Sequence, residues 1–434
     1  MTWGVSQSYP RAVLHIDGDA FFASCEVAKD PSLRGKPVIT GKERGIVSAC
    51  TYEAKSRGVV RGMKLHEAKR MCPDAVILPS DYETYSLFST RMYAIARRYT
   101  SSVEEYGIDE CFADITGLRR FHRLSYPGIA AALKRALEAE LGMTFSIGLS
   151  CTKTLAKIGS KWEKPSGLTC IPLREAPRFL GELSTEKVWG IGPNTAAFLA
   201  HHGVRTAGQF ARKDEAWVRA HLAKPARETW QELNGTPVLA LDLEGRATYR
   251  SISKTKTFTP PSADPVFILA QLSKNVENAC LKARRWHLAT ESVFFFVKTQ
   301  DFRYDGCEVK LPIRTNQPHE ILAALRPHVP KVLRKGVLYR ATGITLGALA
   351  EEGSVQLDLF GTVAASAAHA KVYASMDEIA AKYGKHTVYL GSSAQAMRHA
   401  AHEGARGEVP ARARNLFKGE TARKRLNLPL LGEV

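Results

Sequence analysis

The sequence has no uninterrupted apolar run long enough to cross a bilayer, so a helical membrane span is not expected. Its N-terminus lacks a charged-then-apolar leader, which argues against a secretory address. Eight cysteines are scattered singly (Cys25, Cys50, Cys72, Cys111, Cys151, Cys170, Cys280 and Cys307), with no C-x-x-C pair. That spacing argues against a zinc site and suits a reducing cytosol. Acids are few beside bases: 43 Asp and Glu against 61 Lys and Arg, a net charge of +18. Such a balance favours a polyanionic partner, nucleic acid before membrane. At 434 residues the chain is too long for one core, so several domains are expected.

Among the acids, three stand at the ends of short apolar runs. Val13-Leu14-His15-Ile16 ends on Asp17, and Tyr106-Gly107-Ile108 ends on Asp109-Glu110. Carboxylates at the ends of core strands are costly to crowd unless a cation neutralises them. Three that converge would make a site for two divalent metals about 3.5–4 Å apart, the usual machinery of in-line phosphoryl chemistry. Asp17 and Asp109 are expected to bind both ions, with Glu110 helping to place one and the Gly18 carbonyl completing a shell. Asp19 reads as a helix N-cap and Asp114 as turn-facing.

The hydrophobic patterning gives a strand and a helix over residues 12–30. Residues 35–80 read as an insertion, with a strand at Ile46–Ala49 and a helix near Leu65–Met71. A helix at 82–99, strands at 102–108 and 111–115, a helix at 128–141 and a strand at 143–149 follow. That order predicts an α+β, split-βαβ sheet with helices on one face. Residues 152–240 are helical and short-turned. From 248 the order βαββαβ returns: alternation from Arg250 to Phe258, a helix Pro265–Arg285, strands Ser292–Val297 and Val309–Arg314, a helix Glu320–Leu333, and a strand Ala341–Leu346. After Glu351 a short helix-strand remnant at 372–390 precedes a tail that reads as disordered.

Several blocks together resemble the Y-family, translesion DNA polymerases, with the bacterial polymerase IV and polymerase V catalytic subunits nearest. They are Ile16-Asp17-Gly18-Asp19-Ala20-Phe21-Phe22-Ala23-Ser24-Cys25-Glu26, Gly35-Lys36-Pro37-Val38, Cys50 to Val59, Ile108-Asp109-Glu110, Ala156 to Lys161, and Lys164-Pro165-Ser166-Gly167. The resemblance runs over residues 12–360 and implies a multidomain α+β fold: a split-βαβ palm (1–34 and 81–165), small fingers (35–80), a helical thumb with a helix-hairpin-helix (166–240) and a βαββαβ little finger (248–350). It implies Asp17, Asp109 and Glu110 as catalytic residues with two Mg²⁺ ions, Glu110 placing the ion that activates the primer 3′-hydroxyl. Phe22 would be the steric gate against a 2′-hydroxyl, with Phe21 partly packing, and Tyr52, Lys55 and Lys164 the triphosphate clamp. Lys55 stands where many relatives carry Arg, which loses bidentate phosphate contact, and Gly107 replaces a common serine.

Val188-Trp189-Gly190-Ile191-Gly192-Pro193, with Ala196, Leu199 and Gly203, resembles a helix-hairpin-helix, in which Gly190 and Gly192 would bring backbone N–H groups to a DNA phosphate. Arg250, Lys254 and Lys256 would line the DNA backbone from one strand, with Lys298 and Arg340 on others. Gln356-Leu357-Asp358-Leu359-Phe360 resembles a clamp-binding peptide, Gln356 hydrogen-bonding while Leu359 and Phe360 fill an apolar pocket. The basic tail, residues 406–425, reads as an electrostatic arm.

The expected activity is therefore low-fidelity, template-directed DNA synthesis by a cytoplasmic monomer in damage tolerance. Its partners would be primer-template DNA, deoxynucleoside triphosphates, a sliding clamp and other repair or SOS proteins. A non-catalytic DNA-binding accessory protein on the same fold is the first alternative, and the intact acid set argues against it. A nucleotidyl cyclase on a similar sheet is the second, for which the hairpin and clamp motifs make little sense.

Overall fold

The alternation Val13-Leu14-His15-Ile16-Asp17 builds the first sheet, because successive strand residues point to opposite faces. A computed structural model of the chain describes residues 9–244, 248–352, 362–383 and 386–398. These fall into two units, one up to residue 244 and one from residue 248. Among the described residues no helix is long and apolar enough to cross a membrane.

The first unit opens β1 (Val13–Gly18), α1 (Phe21–Lys29), β2 (Val38–Thr40), β3 (Ala49–Cys50), α2 (Tyr52–Ser56), α3 (Leu65–Met71), β4 (Val76–Leu78) and α4 (Tyr82–Arg97). It continues β5 (Val103–Gly107), β6 (Glu110–Asp114), α5 (Arg119–His122), α6 (Tyr126–Leu141), β7 (Phe145–Ser150), α7 (Lys153–Trp162) and β8 (Leu168–Cys170). Helices α8 (Ala176–Glu182), α9 (Pro193–His201), α10 (Ala207–Ala211), α11 (Glu215–His221) and α12 (Lys224–Leu233) complete it.

The five-stranded sheet runs β5-β6-β1-β7-β8, with β1 central and antiparallel to both neighbours. Leu14 and Ile16 enter a core with Tyr85 and Phe88 of α4 and Leu133 and Leu137 of α6. Val13 points the other way, onto Phe112 and Ala156 of α7. Helices therefore cover both faces, not one as the pattern implied. The cause is local: a Cβ at Gly148 would stand 1.9 Å from the Ala156 carbonyl oxygen, so the bare glycine lets α7 lie directly on the sheet. Residues 39–77 pack a separate small core around Ile39, Val47, Cys50, Ala54 and Ala68 under the β3-β2-β4 sheet. The strand expected at Ile46–Ala49 is shifted to β3. Gly41 and Gly45 turn the chain in left-handed conformations, and Ile46 makes only an isolated bridge to Lys64. A further cluster joins Leu155 and Ile158 to Leu180, Leu199, Phe210 and Leu233 of the helical region.

The second unit is β9 (Ile252–Ser262), α13 (Pro265–Arg285), β10 (Leu288–Thr299), β11 (Tyr304–Thr315), α14 (Pro318–Leu325), α15 (Val329–Val332) and β12 (Tyr339–Glu351). Its sheet runs β11-β10-β12-β9, and Ile268, Leu272, Val276 and Ile321 bury one face. The α+β fold class and the βαββαβ order hold. The single helix expected over Glu320–Leu333 is broken in two, since Pro327 and Pro330 interrupt the backbone hydrogen bonding. The remnant expected at 372–390 is instead α16 (Thr362–Tyr383), followed by α17 (Ala394–Arg398), with no strand among the described residues there. Arg284 of α13 grips Asp377 of α16 with both Nε (2.7 Å) and Nη2 (2.8 Å).

Candidate active site

Antiparallel register sets Asp17 directly opposite Glu110. The Gly18 N–H donates to the Asp109 carbonyl at 2.8 Å, tying the end of β1 to the β5–β6 turn. The Tyr93 hydroxyl of α4 donates to the Gly107 carbonyl and holds the same turn from behind. Asp17, Asp109 and Glu110 are thus brought to one end of the sheet, with Gly18 beside them as the last residue of β1. A Cβ at Gly107 would meet Glu110 Cγ at 3.1 Å and Asp109 Oδ1 at 3.5 Å, so the missing side chain gives the acid turn room.

The face of the sheet that carries Asp17 also carries His15, and α7 lies across it. His15 Nε2 donates to Glu110 Oε2 at 3.1 Å, and its Nδ1 pairs with Ser160 Oγ at 2.7 Å. Lys157 Nζ donates to the same Glu110 oxygen at 2.7 Å. Tyr106 and Trp189 box that ammonium, their ring centres 4.4 and 5.3 Å away. Burial alone would raise the Glu110 carboxyl, but the hydrogen bonds from His15 and Lys157, with the Lys157 charge, outweigh it and hold it at about 2. Asp109 differs: burial, then the charges of Asp17 and Glu110, push it up. Burial also lowers His15, which favours the neutral ring.

Lys164 Nζ ion-pairs with Asp17 and stands 3.7 Å from Asp19. Asp19 is fully buried and does not cap α1, whose N-cap is Ala20 in a left-handed conformation. It accepts instead from Ser146 Oγ (2.8 Å) and the Ser166 N–H (2.7 Å), locking the loop that carries Lys164. Asp114 does sit at a turn, accepting from the Thr116 N–H at 2.9 Å and pairing with Arg11. Burial, then Asp19 and Asp17, push the Tyr52 phenol up, and Lys55 Nζ lies 4.0 Å from the Tyr52 ring centre. Phe21 is buried in the core, while half-buried Phe22 stacks on Tyr85 at 4.5 Å and meets Tyr82 edge-on at 5.3 Å.

His15, Lys157 and Ser160 escaped the sequence reading as a set. The signals were there: His15 is two residues before Asp17 on one strand face, and Lys157 and Ser160 are three apart on one helix face. What the sequence hides is that these faces meet.

The donor set suits a hard divalent cation. The ligand atoms of His15, Asp17 and Glu110 lie within 4.8 Å of one another, His15 is already engaged by Ser160 and Glu110, and Asp109 is repelled by its neighbouring carboxylates. Added positive charge would relieve that repulsion.

Elsewhere in this unit, Gly190 adopts φ +91°, and a Cβ there would stand 2.4 Å from Thr229 Oγ1. Gly192 is the N-cap of α9. In the second unit Arg250 is exposed just ahead of β9. Ile252 and Phe258 of β9 are core residues, so Lys254 and Lys256 between them take the α13 face rather than the open one. Burial lowers Lys256 accordingly. Gln356, Leu359, Phe360 and the basic tail lie outside the described residues.

A sheet carrying three acids at one end, with cations poised beside them, suits phosphoryl transfer assisted by divalent cations. Residues 16–161 match the impB/mucB/samB family, and residues 249–359 match the C-terminal domain of that family. DNA polymerase IV of Methanoculleus marisnigri is 35% identical over 320 residues, covering 72% of this chain and 88% of that protein. DNA polymerase IV of Bacillus velezensis is 31% identical over 388 residues, covering 88% and 93%. Among solved structures, a Y-family DNA polymerase chimera of Dbh and Dpo4 superposes with a TM-score of 0.65 at 22% identity, covering 78% of this chain and 99% of that one. The chain belongs to the impB/mucB/samB family, as a polymerase IV-like member of the Y-family of DNA-directed DNA polymerases.

Proposed function

We propose that the chain carries out translesion synthesis, extending a primer on damaged template by nucleotidyl transfer at Asp17, Asp109 and Glu110. The reading rests on one observation, the register that pairs Asp17 with Glu110 beside the Asp109 turn. The primer 3′-oxygen attacks the α-phosphorus of an incoming deoxynucleoside triphosphate, and pyrophosphate leaves. Two Mg²⁺ ions, held by these carboxylates and the Gly18 carbonyl, would lower the pKa of the 3′-hydroxyl and offset charge on the leaving group. His15 and Lys157 keep Glu110 ionised and fixed in direction. Lys164 exchanges Asp17 for a phosphate oxygen, joining Tyr52 and Lys55 around the triphosphate. Phe22, backed by the Tyr85 ring, excludes a 2′-hydroxyl.

In this reading residues 1–34 and 81–165 are the palm, 35–80 the fingers, 166–240 the thumb and 248–350 the little finger. The small fingers core presses weakly on the nascent pair, which admits damaged templates and lowers fidelity. Gly190 and Gly192 serve a DNA phosphate, Arg250 the backbone near the little finger, and Gln356, Leu359 and Phe360 a sliding clamp that raises effective concentration at the primer end. The protein acts as a cytoplasmic monomer beside other repair proteins.

The test is primer extension opposite an abasic site and a bulky adduct, beside undamaged template. Extension through at least one lesion is expected. Stalling at both, with robust copying of intact template, would remove translesion synthesis from the account.

A further inference from the structure

The hairpin at 188–192 does more than turn the chain. Val188 and Ile191 are buried, the Ile191 N–H donates to the Val188 carbonyl at 3.1 Å, and Gly190 rests against Thr229 of α12. These anchors fix the residue among them, Trp189, whose indole packs on Val13, Phe112 and Ala156. The Trp189 ring lies 5.8 Å from Phe112 and 5.5 Å from Tyr106, and its Nε1 donates to the Tyr106 hydroxyl at 3.1 Å. Tyr106 meets Phe112 edge-on at 5.5 Å, so the three rings form one wall.

Two lysines of α7, four residues apart and so on one helix face, end on that wall. Lys153 Nζ stands 4.7 Å from the Phe112 ring centre and 5.9 Å from that of Trp189, and pairs with Glu104 at 2.5 Å. Lys157 Nζ lies against Tyr106 and Trp189 and pairs with Glu110. Negative ring faces offset the repulsion of two ammonium groups on one buried helix face. They also restrict Lys157, whose flexible four-carbon stem gives its charge no fixed direction of its own. Confined by the rings, the ammonium settles on one oxygen of Glu110. His15 and Lys157 both donate to Oε2, and among the described residues no hydrogen bond is made to Oε1. The carboxylate is pinned at one oxygen and offers the other to a cation.

We propose that Trp189 and Tyr106 are positioning residues for nucleotidyl transfer, acting through Lys157 to fix the direction of Glu110. The inference rests on the proposed reaction and adds to it a hairpin side chain that serves the acid rather than the DNA. The aromatic faces do this, not the bulk of the side chains, because only a ring face holds the ammonium in place.

The test uses the full chain on undamaged primer-template, in single-turnover extension beside primer-template Kd. Trp189→Leu and Tyr106→Leu, which keep apolar bulk, should each lower the maximal rate about tenfold and change primer-template Kd by less than about twofold. Trp189→Phe and Tyr106→Phe, which keep a ring face, should recover most of that rate. In a Lys157→Met background, Trp189→Leu should cost less than about twofold more, since its route to Glu110 is already cut. A readout free of metal, DNA and turnover is the ¹⁹F spectrum of protein carrying 5-fluorotryptophan. The Trp189 resonance, assigned by its loss in Trp189→Phe, should shift in Glu110→Gln. Unchanged rates in the leucine variants, equal losses in the leucine and phenylalanine variants, or a loss confined to primer-template Kd would overturn the proposal. So would full additivity with Lys157→Met, or a Trp189 resonance that stays put in Glu110→Gln. Absence of extension by the unaltered protein would instead strike the polymerase reading, while the ¹⁹F shift still judges the link from Trp189 to Glu110.

Discussion

The two larger sheets, one in each unit, bury one face against helices and differ in what happens to the other. In the first unit α7 closes over the second face, and its cations meet the β5 and β6 acids: Lys153 pairs with Glu104, and Lys157 and Glu110 keep only 6% and 19% of their side chains exposed. In the second unit the corresponding face stays open, with rings and cations turned outward. A covered face fixes charges in direction and shifts their proton affinities, as chemistry requires. An open face keeps its groups hydrated and accessible, as binding requires. Glycine decides which outcome holds, letting a helix backbone settle at Gly148 and letting rings lie flat at Gly306 and Gly343.

The contrast can be broken most forcefully at Lys157. Lys157→Ala should destabilise the first unit by about 3 kcal/mol, because it strips one partner from a largely buried pair. Urea unfolding measures this, and Lys298→Ala on the open face should register almost nothing. Next comes Gly148→Ala, which drives a methyl into the Ala156 carbonyl and should cost about 2 kcal/mol. Gly347→Ala is its control, since a Cβ there meets nothing nearer than 3.6 Å and should change stability by less than about 0.5 kcal/mol. A similar loss at both glycines would mean that helix approach is not what separates the faces.

Much of this was legible in the sequence and some was not. The acids at strand ends, the long α13 and the βαββαβ order follow from apolar periodicity, which is local. Proline already marked the break within Glu320–Leu333, and the apolar pattern masked it. Lys254 and Lys256 required the parity of β9, which becomes certain only once Ile252 and Phe258 are seen in the core. Asp19 read as a cap because short acids before helices usually are; tertiary partners from β7 and the Ser166 loop claimed it instead. The His15–Glu110–Lys157 contact joins three elements far apart in the chain, and no local pattern encodes it.

Smaller effects sharpen the comparison further. Phe22→Ala should reduce discrimination against ribonucleotides about tenfold or more, read as the ratio of incorporation efficiencies; an unchanged ratio would return Phe22 to simple packing. The pH response should carry opposite signs in the two units. Glu110, held at about 2 when folded, contributes stability above its ordinary value of 4.5 that disappears as pH falls through about 2. Glu277 of α13, pushed up by burial, withdraws stability as pH rises past that ordinary value. In denaturant scans without divalent cation, Glu110→Gln should flatten the acid limb of the first unit's profile, and Glu277→Gln should raise stability of the second at neutral pH.

The most direct measurement compares single-turnover primer extension by the unaltered protein and by Asp109→Ala under saturating Mg²⁺, with thermal melting of both. The account predicts template-directed extension that collapses by a thousandfold or so in the variant while its melting temperature holds or rises, since Asp109 is a repelled carboxylate. Equal extension by the two proteins would contradict the assignment of the acids that meet at the end of β1.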